Sequence, residues 1–149
     1  MHIQTKYFGE MNVDKGSFIQ FPDGLPGFPD EKQFVLLNLS EKSIYQVLQS
    51  VENPAIAFVV VNPYDIYQDY VIDLDDNLID TLQITDKRDV VVMSIVTLKD
   101  PFESSTINLK APIIIHSRTS QGKQYILHTD EYPTKASILP PASSCVKGE

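Results

Sequence analysis

QFVLLNLSEKSIYQVLQSVENPAIAFVVVN (33–62) decides how this chain folds. Residues 33–39, 44–50 and 56–62 are short runs rich in Val, Ile, Phe and Tyr. Ser, Asn and Pro break them before any could complete a helix of ordinary length, so each reads as a β-strand. Two further runs, 3–8 and 17–21, precede them, so that five extended segments arrive in about the first sixty residues. The pattern resumes at 90–98, 105–109, 113–117, 124–129 and 135–139, with SQGK (120–123) in the position of a hairpin turn. No strand–helix–strand rhythm is present, and the sheet is therefore expected to be largely antiparallel. The one credible helix is 75–82, where Leu74, Leu78, Ile79 and Leu82 recur at helical spacing behind an Asp able to cap the first turn. The fold class read from this is mostly β: a small antiparallel β-barrel-like single domain, with the short helix against one barrel end.

At 149 residues and 42% hydrophobic content the chain can bury a real core in one domain, here residues 1–140, followed by a small polar tail, 141–149. No apolar run approaches the roughly 20 residues of a membrane span, and MHIQTKYFGE lacks a charged-then-apolar leader. A cytoplasmic protein with no membrane contact is expected. The single cysteine, Cys145, cannot form an internal disulfide and lies in the polar tail, which fits neither a structural nor a catalytic role.

Charge is unevenly placed. Between Lys42 and Lys87 there is no Lys or Arg, while Glu52, Asp65, Asp69, Asp73, Asp75, Asp76, Asp80 and Asp86 carry negative charge, which accounts for the whole net charge of −8. A concentrated negative field repels phosphate and attracts basic surfaces within about a Debye length, roughly 8 Å at physiological salt. This argues against direct nucleic-acid binding. A solvated face that serves solubility alone would look the same in composition.

Catalytic constellations are scarce. If 113–117 and 124–129 pair, His116 and His128 can face each other, but no Cys or acidic residue completes a ligand set at a recognisable spacing. We read them as separate residues and expect no metal. DLDDNLID, counted from Asp73, lacks the Gly at position 6 and the Glu at position 12 of a calcium loop. No Gly-rich phosphate cradle or nucleophile elbow is present. A small ligand-binding barrel, such as a flavin-binding split barrel, would need a phosphate site of Arg, Lys and Gly, and the basic residues here are dispersed. No catalytic residue and no cofactor is expected.

Two loops remain. FPDGLPGFPDE (21–31) holds three prolines and two glycines in eleven residues. Pro fixes φ and Gly permits positive φ, so the loop can keep one shape without ladder bonds. Leu25 and Phe28 then point in fixed directions, either as a plug for the barrel end or as anchors for a partner. In NLKAPI (108–113), Asn108 and Pro112 end one strand and start the next, and Lys110 is a candidate contact.

FPDGLPGF (21–28), VLQSVENPAIAFVVVNPY (47–64), DY (69–70) and TINLKAPIII (106–115) together, in this order and spacing, resemble the flagellar assembly factor FliW family, across nearly the whole chain. The resemblance implies a non-enzymatic partner-binding protein with a small β-barrel-like fold. It implies two partners, cytoplasmic flagellin and the carbon storage regulator CsrA, an RNA-binding repressor of flagellin translation. Flagellin that has not been exported occupies the factor and leaves the repressor active; export frees the factor to capture the repressor. In that light the acidic residues Asp73, Asp75, Asp76 and Asp80 are the expected face for a basic repressor. Tyr64, Tyr67 and Tyr70, three residues apart beside them, are candidates to line a groove for a helical flagellin end. The alternative is that these tyrosines pack over the barrel with their hydroxyls at the surface. The free protein is expected to be a monomer.

Overall fold

The computed structural model describes residues 2–25, 27–40 and 43–139. In chain order these form β1 (His2–Thr5), β2 (Gly9–Asn12), β3 (Phe18–Gln20), β4 (Gln33–Asn38), β5 (Tyr45–Ser50), β6 (Ala57–Val61), α1 (Asp76–Leu82), β7 (Val90–Thr97), β8 (Thr106–Ile107), β9 (Ile113–His116), β10 (Gln121–Gln124) and β11 (Ala136–Ser137). The tail read at 141–149 lies outside the described residues.

The strands 33–62 do what their alternation requires. β3, β4, β5, β6 and β7 pair antiparallel in sequence order, β7 pairs with β9, β9 with β10, and a short parallel contact between β10 and β3 closes the barrel. Successive residues of one strand go to opposite faces. Phe34 and Leu36 of β4 therefore enter the barrel with Leu48, Val60, Met93, Ile113 and Ile115. Val35 and Leu37 face outward, under a cover made by Ile3, Met11 and Val13 of the first hairpin. On another side Val59, Val61, Val92 and Ile114 face outward beneath Leu78 and Leu82 of α1, with Tyr125, Leu127 and Ile138. Both wall faces are thus buried, which is why the strands read as nearly continuous apolar runs.

Several boundaries differ from expectation, each for a local reason. The run 3–8 is not one strand: Gly9 takes φ +66 and folds the chain back into β2, while Thr5 Oγ1 accepts the Phe8 N–H and donates to the Gly9 carbonyl. SQGK is not the turn. The turn is 117–120, with Ser120 at φ +56 and its N–H on the His116 carbonyl, and residues Gln121–Gln124 are β10. Gly122 serves packing: a Cβ there would stand 2.4 Å from the Phe21 ring. The segment 124–129 leaves the ladder after Gln124, although the Tyr125 and Leu127 N–H groups still donate to Pro112 and Lys110 carbonyls. The strand at 105–109 shortens to β8 because Asn108 Oδ1 takes the N–H groups of Lys110 and Ala111 and turns the chain.

The loop of residues 21–31 places Leu25 and Phe28 in different surroundings. Leu25 is buried in the barrel core with Phe21, whereas Phe28 is 39% exposed and edge-packs on Phe58 at 5.9 Å. Leu25 and Phe28 exchange backbone hydrogen bonds, which closes the loop on itself. Gly24 makes that closure possible, for it sits at φ +70 and an added Cβ would lie 2.4 Å from the Phe28 carbonyl oxygen. Gly24→Ala is therefore expected to destabilise the fold by about 1–3 kcal/mol, since backbone rather than a flexible side chain must move. Denaturant unfolding checks this; a midpoint equal to wild type would contradict it.

Candidate partner-binding site

The extended segment from Val71 to Asp75 is held by phenol hydroxyls. Tyr132 Oη accepts the Val71 N–H, Tyr125 Oη accepts the Asp75 N–H, and Tyr125 Oη donates to the Asp73 carbonyl. Asp75 then caps α1 by accepting the Leu78 N–H at 2.8 Å, and Gln83 at φ +56 ends the helix. The hydrogen bond with His128 at 3.0 Å, followed by that from Leu78, holds the Asp75 carboxyl below the usual carboxylate range.

These contacts divide the four expected acidic residues. Asp73, Asp76 and Asp80 are exposed with no ion pair among the described residues, while Asp75 is engaged at the cap. Asp86 is matched by Arg88 at 2.7 Å and Asp89 by Arg118 at 2.8 Å, which leaves the uncompensated charge of this region on the helix and the segment before it. His128 lies against Asp75 and does not meet His116, which is buried in β9 and accepts the Arg118 N–H. The two histidines do not face each other, because 124–129 departs from the sheet and His128 reaches Asp75 at the cap of α1. Among the described residues no three His, Cys, Asp or Glu side chains converge as metal ligands would.

The three tyrosines separate likewise. Tyr70 is buried, donates to the Leu109 carbonyl at 2.6 Å, and its phenol is pushed well up by burial and by neighbouring Tyr64 and Tyr132. Tyr67 donates to the Ser137 carbonyl. Tyr64 lines an open hollow. That hollow, about 470 Å³, is lined by Tyr64, Ile72, Leu74, Ile79, Ile84, Val90 and Val92, with Asp73 and Lys87 as its charged residues. Sequence reading missed most of this lining, because Leu74, Leu78, Ile79 and Leu82 read as one apolar stripe. Leu78 and Leu82 go to the core, whereas Ile79 faces the hollow. A second hollow, about 430 Å³, adjoins it across Ile72 and Asp73 and reaches His128, Glu131 and Tyr132.

Lys110 stands apart from this face. Its ammonium donates to the Thr129 carbonyl and meets Asp130 at 3.3 Å, so it ties a loop down. Phe28 and Leu25 sit at the loop of residues 21–31, among a different set of contacts.

The model of the family described as FliW protein matches residues 2–138. A flagellar assembly factor FliW from Oceanobacillus iheyensis is 51% identical over 141 residues, covering 95% of this chain and 96% of that protein. One from Bacillus subtilis is 46% identical over 138 residues, covering 93% and 96%. A crystal structure of the flagellar assembly factor FliW superposes with a TM-score of 0.88 at 43% identity, covering 94% of this chain and 98% of that one.

Proposed function

This chain belongs to the FliW family of flagellar assembly factors, and from that premise we propose that it binds cytoplasmic flagellin and, once flagellin is exported, captures the translational repressor CsrA. The protein acts by binding and carries no chemistry of its own. The observation that carries the reading is the adjacency of two surfaces: an open apolar hollow to which Ile79 of α1 contributes, and the exposed carboxylates Asp73, in the lining of that hollow, and Asp76 and Asp80, on the same helix. Flagellin ends are helical with one apolar face, for which such a hollow is a suitable receptor. A repressor that binds RNA carries basic surface, which the carboxylates would draw in. Two partners competing for one region make a switch, since a factor that held both equally well would transmit nothing.

The rival reading, a small ligand or flavin barrel, finds little support. Phe21, Phe34, Leu48, Val60 and Ile113 fill the barrel interior, and Arg88 and Arg118 are committed to Asp86 and Asp89. The filled barrel interior leaves no room for a phosphate-bearing cofactor, and both arginines of the chain, the side chains best suited to grip its phosphate, are held by carboxylates.

The steering argument has a kinetic consequence. Replacing the exposed Asp73, Asp76 and Asp80 with Asn should slow association with CsrA on the order of tenfold at low salt, with a smaller change in dissociation. Stopped-flow binding between low salt and about 0.5 M checks this. An association rate indifferent to both the triple substitution and salt would overturn the steering role.

A further inference from the structure

The charged residues of the apolar hollow specify its occupant further than apolarity does. Seven of the nine lining residues are aliphatic or aromatic, and the remaining two are one anion, Asp73, and one cation, Lys87. Neither has an ion-pair partner among the described residues. Asp73 precedes α1 and Lys87 follows it in the chain, and Ile79 of the helix lines the same hollow. The β7 residues in the hollow, Val90 and Val92, are already paired with His116 and Ile114. An occupant that buries its backbone here is better served by satisfying its own hydrogen bonds, as a helix does.

We propose that this hollow receives an amphipathic helix whose apolar stripe is bracketed by one basic and one acidic side chain, the first set against Asp73 and the second against Lys87. The inference rests on the flagellin reading above and narrows it: the helix of flagellin that docks here is the one carrying this charge pattern. Opposite charges at the rim contribute modest affinity but reject the wrong register, because a helix with like charges at both positions places one of them against its own sign. The carboxylates of Asp76 and Asp80 lie on the helix outside the lining and are not part of this selection.

The test uses the full chain, monomeric flagellin, and stapled amphipathic helices of about 18 residues, since unstapled ones of that length are marginal in water. The helices share one apolar stripe and carry Lys/Glu, Lys/Lys or Glu/Glu at the bracketing positions. The wild-type chain should prefer Lys/Glu, Lys87→Glu should prefer Lys/Lys, and Asp73→Lys should prefer Glu/Glu, each by about fivefold in Kd measured by anisotropy. Ile79→Asp should abolish binding of all three, with folding checked by circular dichroism. Preferences that do not follow the substitutions, with flagellin still bound, would overturn the charge selection alone. Failure of the wild-type chain to bind flagellin at all would instead overturn the functional reading. A concentration-dependent dimer that Ile79→Asp dissolves would assign the hollow to a second copy and also overturn the proposal.

Discussion

Phe21→Ala is expected to remove about 3–5 kcal/mol of unfolding free energy, the range for truncating a fully buried aromatic. The ring has no exposed surface and packs edge-on against Phe34 at 5.5 Å, deep among Ile19, Leu48 and Ile113. Gly122 on β10 leaves the space it fills, at the strand whose parallel contact with β3 closes the barrel. Truncation leaves a cavity there and withdraws the anchor of the loop that starts at Phe21. Since a domain of this size has a total stability on the order of 5–15 kcal/mol, the variant should lie near its unfolding threshold at growth temperature. Urea unfolding followed by tryptophan-free probes, such as tyrosine fluorescence and circular dichroism, checks this. A loss under about 1 kcal/mol would contradict the packing described. Phe28, 39% exposed, should be far less costly to truncate, and the contrast separates the buried end of the loop from its surface end.

Much of the barrel was legible in the sequence, because strands 33–62 alternate faces that are both buried and so display their apolar residues plainly. Helix α1 was legible too, for Asp75 stands at its cap and the Leu and Ile spacing is helical. What misled was glycine and tyrosine. Gly122 in SQGK has the look of a turn residue, yet its role is to make room for Phe21, which lies a hundred residues away in the chain and is invisible to any local rule. Gly9, conversely, marks a true reversal inside what resembled one strand.

The candidate site was legible as charge and not as shape. Lack of Lys and Arg between 42 and 87 picks out the acidic face, but only the folded structure divides Asp75, held at the helix cap, from the exposed Asp73, Asp76 and Asp80. Tyr64, Tyr67 and Tyr70 share a spacing but not an environment: long-range acceptors, the Leu109 and Ser137 carbonyls, take two of them out of the groove. Lys87, the cation of the hollow, carried no signal beyond ending the acidic run.

Strong mutual exclusion is the second large effect expected. The chain exposes 8501 Å², and two standard interfaces of roughly 800 Å² each would claim nearly a fifth of it. The apolar hollow and the carboxylate face share Asp73 and adjoin along α1, so a helix in one and a basic protein on the other must crowd the same ground. Flagellin should therefore weaken CsrA binding by at least about 3 kcal/mol, beyond the range usual for distant coupled sites, and CsrA should weaken flagellin binding by the same factor. Titrating flagellin into the preformed complex of this protein with labelled CsrA tests this most directly. The account predicts release of the label to completion as flagellin saturates, with an apparent affinity that falls in proportion to the CsrA present. A ternary complex that persists at saturating flagellin, with CsrA held at its original affinity, would contradict both the shared site and the switch.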